Sequence, residues 1–178
     1  MSELTIRNRQ RLVAINTRWL RKMVIILLEE IAQISLYELA IHAVNRREIT
    51  RLNETYLQHS GATDVIAFDY KATASLATLE NMTSGGKGEI MPTNFLPDSL
   101  YGELFICVEV ATEQARKYRT TWAGEFVRYI IHGLLHLEGY DDHSPSHRRE
   151  MKKEEDRRLN QLKRRCDLED LIRKRGAS

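Results

Sequence analysis

One stretch constrains this chain more than any other: TWAGEFVRYIIHGLLHLE, from Thr121 to Glu138. It reads as a strongly apolar helix, closed by Gly139 at the position where a helix exits through left-handed backbone. Within its segment IIHGLLHL every residue besides the histidines and Gly133 carries an apolar side chain, so both imidazoles are expected in apolar surroundings. His132 and His136 stand i, i+4 apart and therefore project from one helix face. A buried imidazole left without a hydrogen-bond partner costs about 1–3 kcal/mol. A shared divalent cation satisfies both rings at once. Gly133 opposes helix formation by about 1 kcal/mol relative to alanine. Its presence predicts that something approaches the backbone closely there.

The chain has six histidines, and a third of the run, His143, ends the segment HGLLHLEGYDDH. Gly139 lets the chain turn back, so Asp141, Asp142 or His143 can reach an ion held by the first two. Histidines at this spacing also occur in the HExxH zinc proteases. Here Gly133 follows His132, so the glutamate that serves those enzymes as general base is missing. Three protein ligands with one open position describe a catalytic rather than a structural zinc site. His42, His59 and His147 have no ligand-like spacing and read as strand or surface histidines.

At 178 residues the chain suits one domain, 1–160, followed by a basic helical tail, 161–178. From Arg148 to Arg175 there are twelve Lys/Arg against seven Asp/Glu. Such runs more often make a solvated helix face than a nucleic-acid arm. Cys107 and Cys166 form no CxxC pair, and Cys107 in its apolar run reads as a buried thiol suited to a reducing cytosol. The longest apolar run, Met23 to Leu28, falls far short of the ~20 residues a membrane span needs. A soluble, cytoplasmic protein without membrane contact is expected.

Periodicity predicts a weak edge strand over Leu4 to Gln10 and a helix over Thr17 to Ile31 with Thr17 as its cap. A strand over Tyr37 to Val44, a helix over Asn45 to Leu57 and a strand over Thr63 to Tyr70 follow. Lys71 to Ser99 holds two of the three prolines and no steady period, and reads as a long loop. A strand from Gly102 to Val110 then runs into a helix, and a charged helix after Pro145 breaks around Cys166. Strands alternating with helices make this α/β or α+β with a mixed sheet.

Three segments carry a family resemblance. HGLLHLEGYDDH resembles an HGxLHLxGYDH hallmark; Leu52 to Phe68, LNETYLQHSGATDVIAF, resembles an LNxxYR…TDVLSF segment; and Gly102 to Tyr118, GELFICVEVATEQARKY, resembles a strand–helix region of the same family. The chain is similar in this way, over about residues 37–155, to the YbeY family of bacterial ribosomal-RNA maturation factors, which are metal-dependent endoribonucleases. The resemblance implies an α+β fold with a small mixed, mostly parallel sheet, helices packed around it and a metal site at the end of a cleft. It implies a single-strand-specific endoribonuclease in ribosomal RNA processing, including the 3′ end of 16S rRNA. One Zn²⁺ per chain is the implied cofactor, and ribosomal RNA, with ribosomal proteins or the small subunit, the implied partners.

Carried onto this sequence, the implied metal ligands and catalytic residues are His132, His136 and Asp142. Asp142 stands in register with the family's third histidine; His143, one residue late, is the alternative. Leu57 stands where the family has an arginine that meets RNA phosphate, so Arg46, Arg47, Arg51 or Arg128 is expected to substitute. Thr63 and Asp64 are expected to shape the cleft by hydrogen bonding. Asp141 either orients a ligand imidazole or shapes the turn, and Tyr140 packs it. The 71–99 loop looks longer than the family's and the tail beyond about 160 looks extra. Leu57 also keeps open a non-catalytic ribosome-assembly factor with a structural metal; a hydrolase of small molecules is the third option.

Overall fold

The structure is a computed structural model that describes residues 2–71 and 99–172. Strand β1 is Glu3–Asn8, and helix α1, Thr17–Ile25, continues as a π-helical segment over Ile26–Ile31. The α1 cap is Asn16, whose side chain accepts the Trp19 amide at 3.1 Å, so Thr17 is the first helical residue instead of the cap. Strand β2, Leu36–Val44, leads into α2, Arg46–Leu52, capped by Asn45 and extended by a second π segment, Asn53–Leu57.

Strand β3, Val65–Asp69, starts later than its periodicity predicts. The Thr63 hydroxyl and the Val65 amide both donate to Asp64 Oδ1, at 3.0 and 2.8 Å, which turns the chain just before the strand, where the Asp64 carbonyl still takes the Cys107 amide at 2.8 Å. Strand β4, Ser99–Cys107, takes in Ser99 from the expected loop and stops three residues before Val110. Residues 72–98 of that loop lie outside the described residues. Helix α3, Val108–Tyr118, begins directly at the strand's end. Helices α4, Trp122–Leu137, and α5, Pro145–Lys163, complete the α-helices among the described residues, and a short 3₁₀ turn spans Leu168–Leu171.

The sheet runs β1-β2-β4-β3, with the first three strands parallel and β3 antiparallel on one edge. It is thus mixed and mostly parallel, with helices around it, as the resemblance implies. The larger core lies between one sheet face, through Leu39, Ile41 and Leu104, and the buried residues Leu20, Met23 and Leu27 beside Phe126, Ile130 and Leu134 of α4. A smaller cluster on Val44, Ile66, Phe105 and Cys107 takes Ile49 from α2. Burial pushes the Cys107 thiol up, away from reactivity.

Gly133 marks where α4 meets the sheet. A Cβ there would lie 2.7 Å from Leu104 Cδ2 and 3.2 Å from Val65 Cγ2, so β4 and β3 are what approach the backbone. Gly139 has φ +96°, the left-handed exit its position predicts.

The boundary expected at 160/161 falls inside α5. Leu159, Leu162, Leu168 and Leu171 are all buried in the larger core, and the Asn16 amide donates to the Leu171 carbonyl at 2.8 Å. The described part of the tail is therefore packed into the domain. Among the described residues no helix is long and apolar enough to cross a membrane.

Candidate metal centre

Thr121 starts α4 by accepting the Gly124 amide on its side chain at 3.1 Å. About three and four turns later the helix presents His132 and His136 at the edge of the core, both partly buried. Their Nε2 atoms face each other at 3.1 Å, with the rings at 82°. The other ring nitrogens face acceptors: His132 Nδ1 meets Glu155 Oε2 and His136 Nδ1 meets the Tyr140 carbonyl, each at 3.2 Å.

That arrangement tests whether the cluster fits a cation. A carboxylate and a carbonyl can only accept, so each Nδ1 must carry a proton. In the neutral rings both Nε2 atoms then present lone pairs to one another across 3.1 Å. The contact is repulsive unless a positive charge sits between them. Burial pushes the His132 imidazole down, but the Glu155 hydrogen bond and the charges of Glu155, Asp64 and Asp142 outweigh it and leave it raised. Burial and the neighbouring His132 push His136 down. The pair is built to hold one positive charge, as a shared proton or as a metal ion.

The turn brings a third candidate donor to the two rings. The Tyr140 amide donates to the Leu135 carbonyl at 3.0 Å, curling the chain back over the helix end. An Asp142 carboxylate oxygen and one nitrogen from each of His132 and His136 all lie within 4.8 Å of one another. Two imidazoles and one carboxylate form a donor set that zinc accepts, and the oxygen also tolerates harder ions.

His143 lies elsewhere. Its side chain is 93% exposed, and it groups with Asp141 and Asp142 instead of the two helix histidines. Asp141 accepts the His143 amide at 2.7 Å and meets His147 Nδ1 at 3.1 Å. Those contacts hold its carboxyl below the usual range and make it a turn residue; it does not orient His132 or His136. Thr63 and Asp64 form the turn before β3, and Asp64 is close enough for its charge to act on His132.

Two of the four arginines weighed as phosphate contacts are committed elsewhere. Arg46 pairs with Glu113 at 2.6 Å, and Arg128 with Glu155 and, at 2.7 Å, Asp156. Arg47 and Arg51 are exposed and have no ion pair among the described residues. Leu57 is 44% exposed. His59 and His147 are surface residues, whereas His42 is a buried strand histidine stacked on Phe105 at 4.4 Å.

Sequence reasoning missed Glu155 and the Tyr140 carbonyl. A signal for Glu155 existed: it sits on the buried stripe of α5, four residues from Met151 and four from Leu159, where a carboxylate is out of place.

The α+β fold thus brings histidines one turn apart to a returning aspartate, a group of side chains that could hold a metal ion. A family model described as Endoribonuclease YbeY matches residues 5–163. The chain is 39% identical over 125 residues to the endoribonuclease YbeY of Chlorobium luteolum, covering 70% of this chain and 74% of that protein. It is 34% identical over 126 residues to that of Salinibacter ruber, covering 71% of each. The solution structure of TM1509 from Thermotoga maritima has a similar fold, with a TM-score of 0.57 at 23% identity over 90% of this chain and 89% of that one. The chain belongs to the YbeY endoribonuclease family.

Proposed function

We propose that the protein is a zinc-dependent endoribonuclease of the cytoplasm that cuts single-stranded segments of ribosomal RNA, the 3′ end of 16S rRNA among them. Family membership supports the reaction class. The observation that carries the metal reading is the pair of Nε2 atoms facing each other at 3.1 Å, with both Nδ1 atoms already engaged by acceptors. His132, His136 and Asp142 would hold one Zn²⁺, whose Lewis acidity brings water ionisation toward a pKa of ~7 and draws charge from a phosphoryl oxygen.

The protein's own groups do the rest. The Tyr140 carbonyl fixes the His136 ring, and the Thr63–Asp64 turn holds a carboxylate whose charge acts on His132. With Arg46 and Arg128 paired internally, Arg47 and Arg51 on α2 take over the phosphate contact that Leu57 cannot make. Ribosomal RNA is the partner, with the small subunit or its proteins presenting it.

The exposed Leu57 favours one other reading, an assembly factor in which the metal is structural. Zinc-loaded protein and a His132→Ala, His136→Ala variant are incubated with single-stranded and duplex RNA of one sequence. Cleavage of the single strand by the loaded protein, reduced at least ~100-fold in the variant, is expected, with one zinc per chain by elemental analysis. Equal cleavage by both proteins overturns the nuclease reading. Bound zinc with no cleavage by either leaves the assembly factor.

A further inference from the structure

We infer that Glu155 is a positioning residue that locks the His132 ring so that Nε2, and not Nδ1, faces the metal position. The inference rests on the metal reading above and concerns a residue 23 positions along the chain from His132.

Glu155 is 5% exposed and sits on the buried stripe of α5 with Met151 and Leu159. An apolar side chain would fill that place at no desolvation cost. The carboxylate instead collects three donors. Oε1 takes Arg128 Nη1 and Lys152 Nζ, the latter at 2.9 Å, while Oε2 is left for His132 Nδ1 at 3.2 Å. Neutralising Arg128 does not require it, because the surface carboxylate of Asp156 already pairs with the same guanidinium nitrogen at 2.7 Å. What Glu155 alone provides is an acceptor aimed at the imidazole.

The consequence is a fixed tautomer. With its proton donated to a carboxylate at Nδ1, His132 can offer only the Nε2 lone pair. The two rings differ in this respect. His136 is oriented by a backbone carbonyl, which no side-chain substitution removes, so Glu155 is the side chain through which the sequence sets ring orientation. Arg128 and Lys152 hold that carboxylate in place, which gives Arg128 a use unrelated to RNA.

The experiment compares wild type, Glu155→Ala and Glu155→Gln, with glutamine keeping an acceptor oxygen. Long-range proton–nitrogen NMR correlation on zinc-free, ¹⁵N-labelled protein, at a pH where the same spectrum shows the ring to be neutral, reads the His132 tautomer. Zinc affinity is read by competition with a chromogenic chelator, and folding by circular dichroism. Wild type is expected in the Nδ1–H form. Glu155→Ala should shift His132 toward a mixture and weaken zinc binding about 10–100-fold, while Glu155→Gln restores the tautomer and most of the affinity. A merely structural role would lower the melting temperature and leave the tautomer unchanged. An Nε2–H tautomer in wild type overturns the inference without any variant having to fold. So do an unchanged tautomer and an affinity within twofold of wild type in folded Glu155→Ala, and that result leaves the metal reading intact. Conversely, a tautomer that follows Glu155 in a protein that binds no zinc supports the positioning role and defeats the metal reading instead.

Discussion

Helices α4 and α5 pack against each other beside the candidate metal centre, yet they are held there by opposite means. Eleven of the sixteen residues of α4 are buried, nearly all apolar, and sheet side chains crowd its backbone at Gly133. On α5 five of nineteen are buried, and two of those five, Glu155 and Arg158, are charged. Each reaches across to α4 or its end: Glu155 to Arg128 and His132, Arg158 to Glu138. Apolar burial fixes the depth of α4, whereas directional charge pairs fix the register of α5 on it. Burial is non-directional and tolerates small slides, while a fork of hydrogen bonds does not. A site that needs Glu155 within reach of one ring nitrogen requires the second kind of restraint.

The charge network on α5 is most sensitive at Arg158. Its guanidinium is buried between Glu138 and Glu154, so Arg158→Ala leaves carboxylates facing each other without their cation. A loss of about 2–4 kcal/mol is expected by urea denaturation, since those carboxylates keep some water. The network also has an acid signature. The Arg157 hydrogen bond and, against the effect of burial, Arg158 hold the Glu154 carboxyl at about 2, below its ordinary 4.5. A depressed carboxylate contributes stability above its unfolded pKa and loses it as pH falls through the folded one. The wild-type melting temperature should therefore fall between about pH 4.5 and 2, and Arg158→Ala should lose less over the same window. Parallel curves for the two proteins would mean that α5 is not held by this network.

On α4 the test is steric. Gly133→Ala gains helix propensity but drives a methyl against Leu104, which is fully buried and has nowhere to go. Overpacking of this kind costs about 1–3 kcal/mol, offset in part by the ~1 kcal/mol of propensity. A net loss in denaturation midpoint, smaller than that of Arg158→Ala, is the expected order. A stabilised variant would show that the helix can slide away from the sheet.

How much could be read from the sequence follows the same division. The strands, the helices and the exit at Gly139 were visible because periodicity and glycine chemistry are local. The His132–His136 pair was visible because two imidazoles are conspicuous on an apolar helix. Glu155 carried only a faint mark, its place on the stripe between Met151 and Leu159, because on a helix as charged as α5 one more carboxylate looks like solvent-facing background. The expected start of β3 at Thr63 failed for another local reason: the Asp64 side chain takes the Val65 amide and the Thr63 hydroxyl. The break near Cys166 was legible, but not that Leu168 and Leu171 return to the core, since long-range packing leaves no periodic mark in so short a segment.

The smallest effect is expected at His143, and it bears most directly on the choice of third ligand. Its side chain stands in solvent, 3.6 Å from Asp141 Oδ1, whereas its backbone amide donates to that same oxygen at 2.7 Å. Alanine keeps the amide, so His143→Ala preserves the turn, and removing an exposed ring should change stability by less than ~0.5 kcal/mol. Zinc affinity, measured by the same chelator competition, should stay within about twofold. Asp142→Ala leaves the turn's backbone equally intact but removes the carboxylate beside His132 and His136, and should weaken binding by at least ~10-fold. If His143→Ala proves the weaker binder, the turn must rearrange on taking up metal, exchanging a half-buried carboxylate for an imidazole drawn in from the surface.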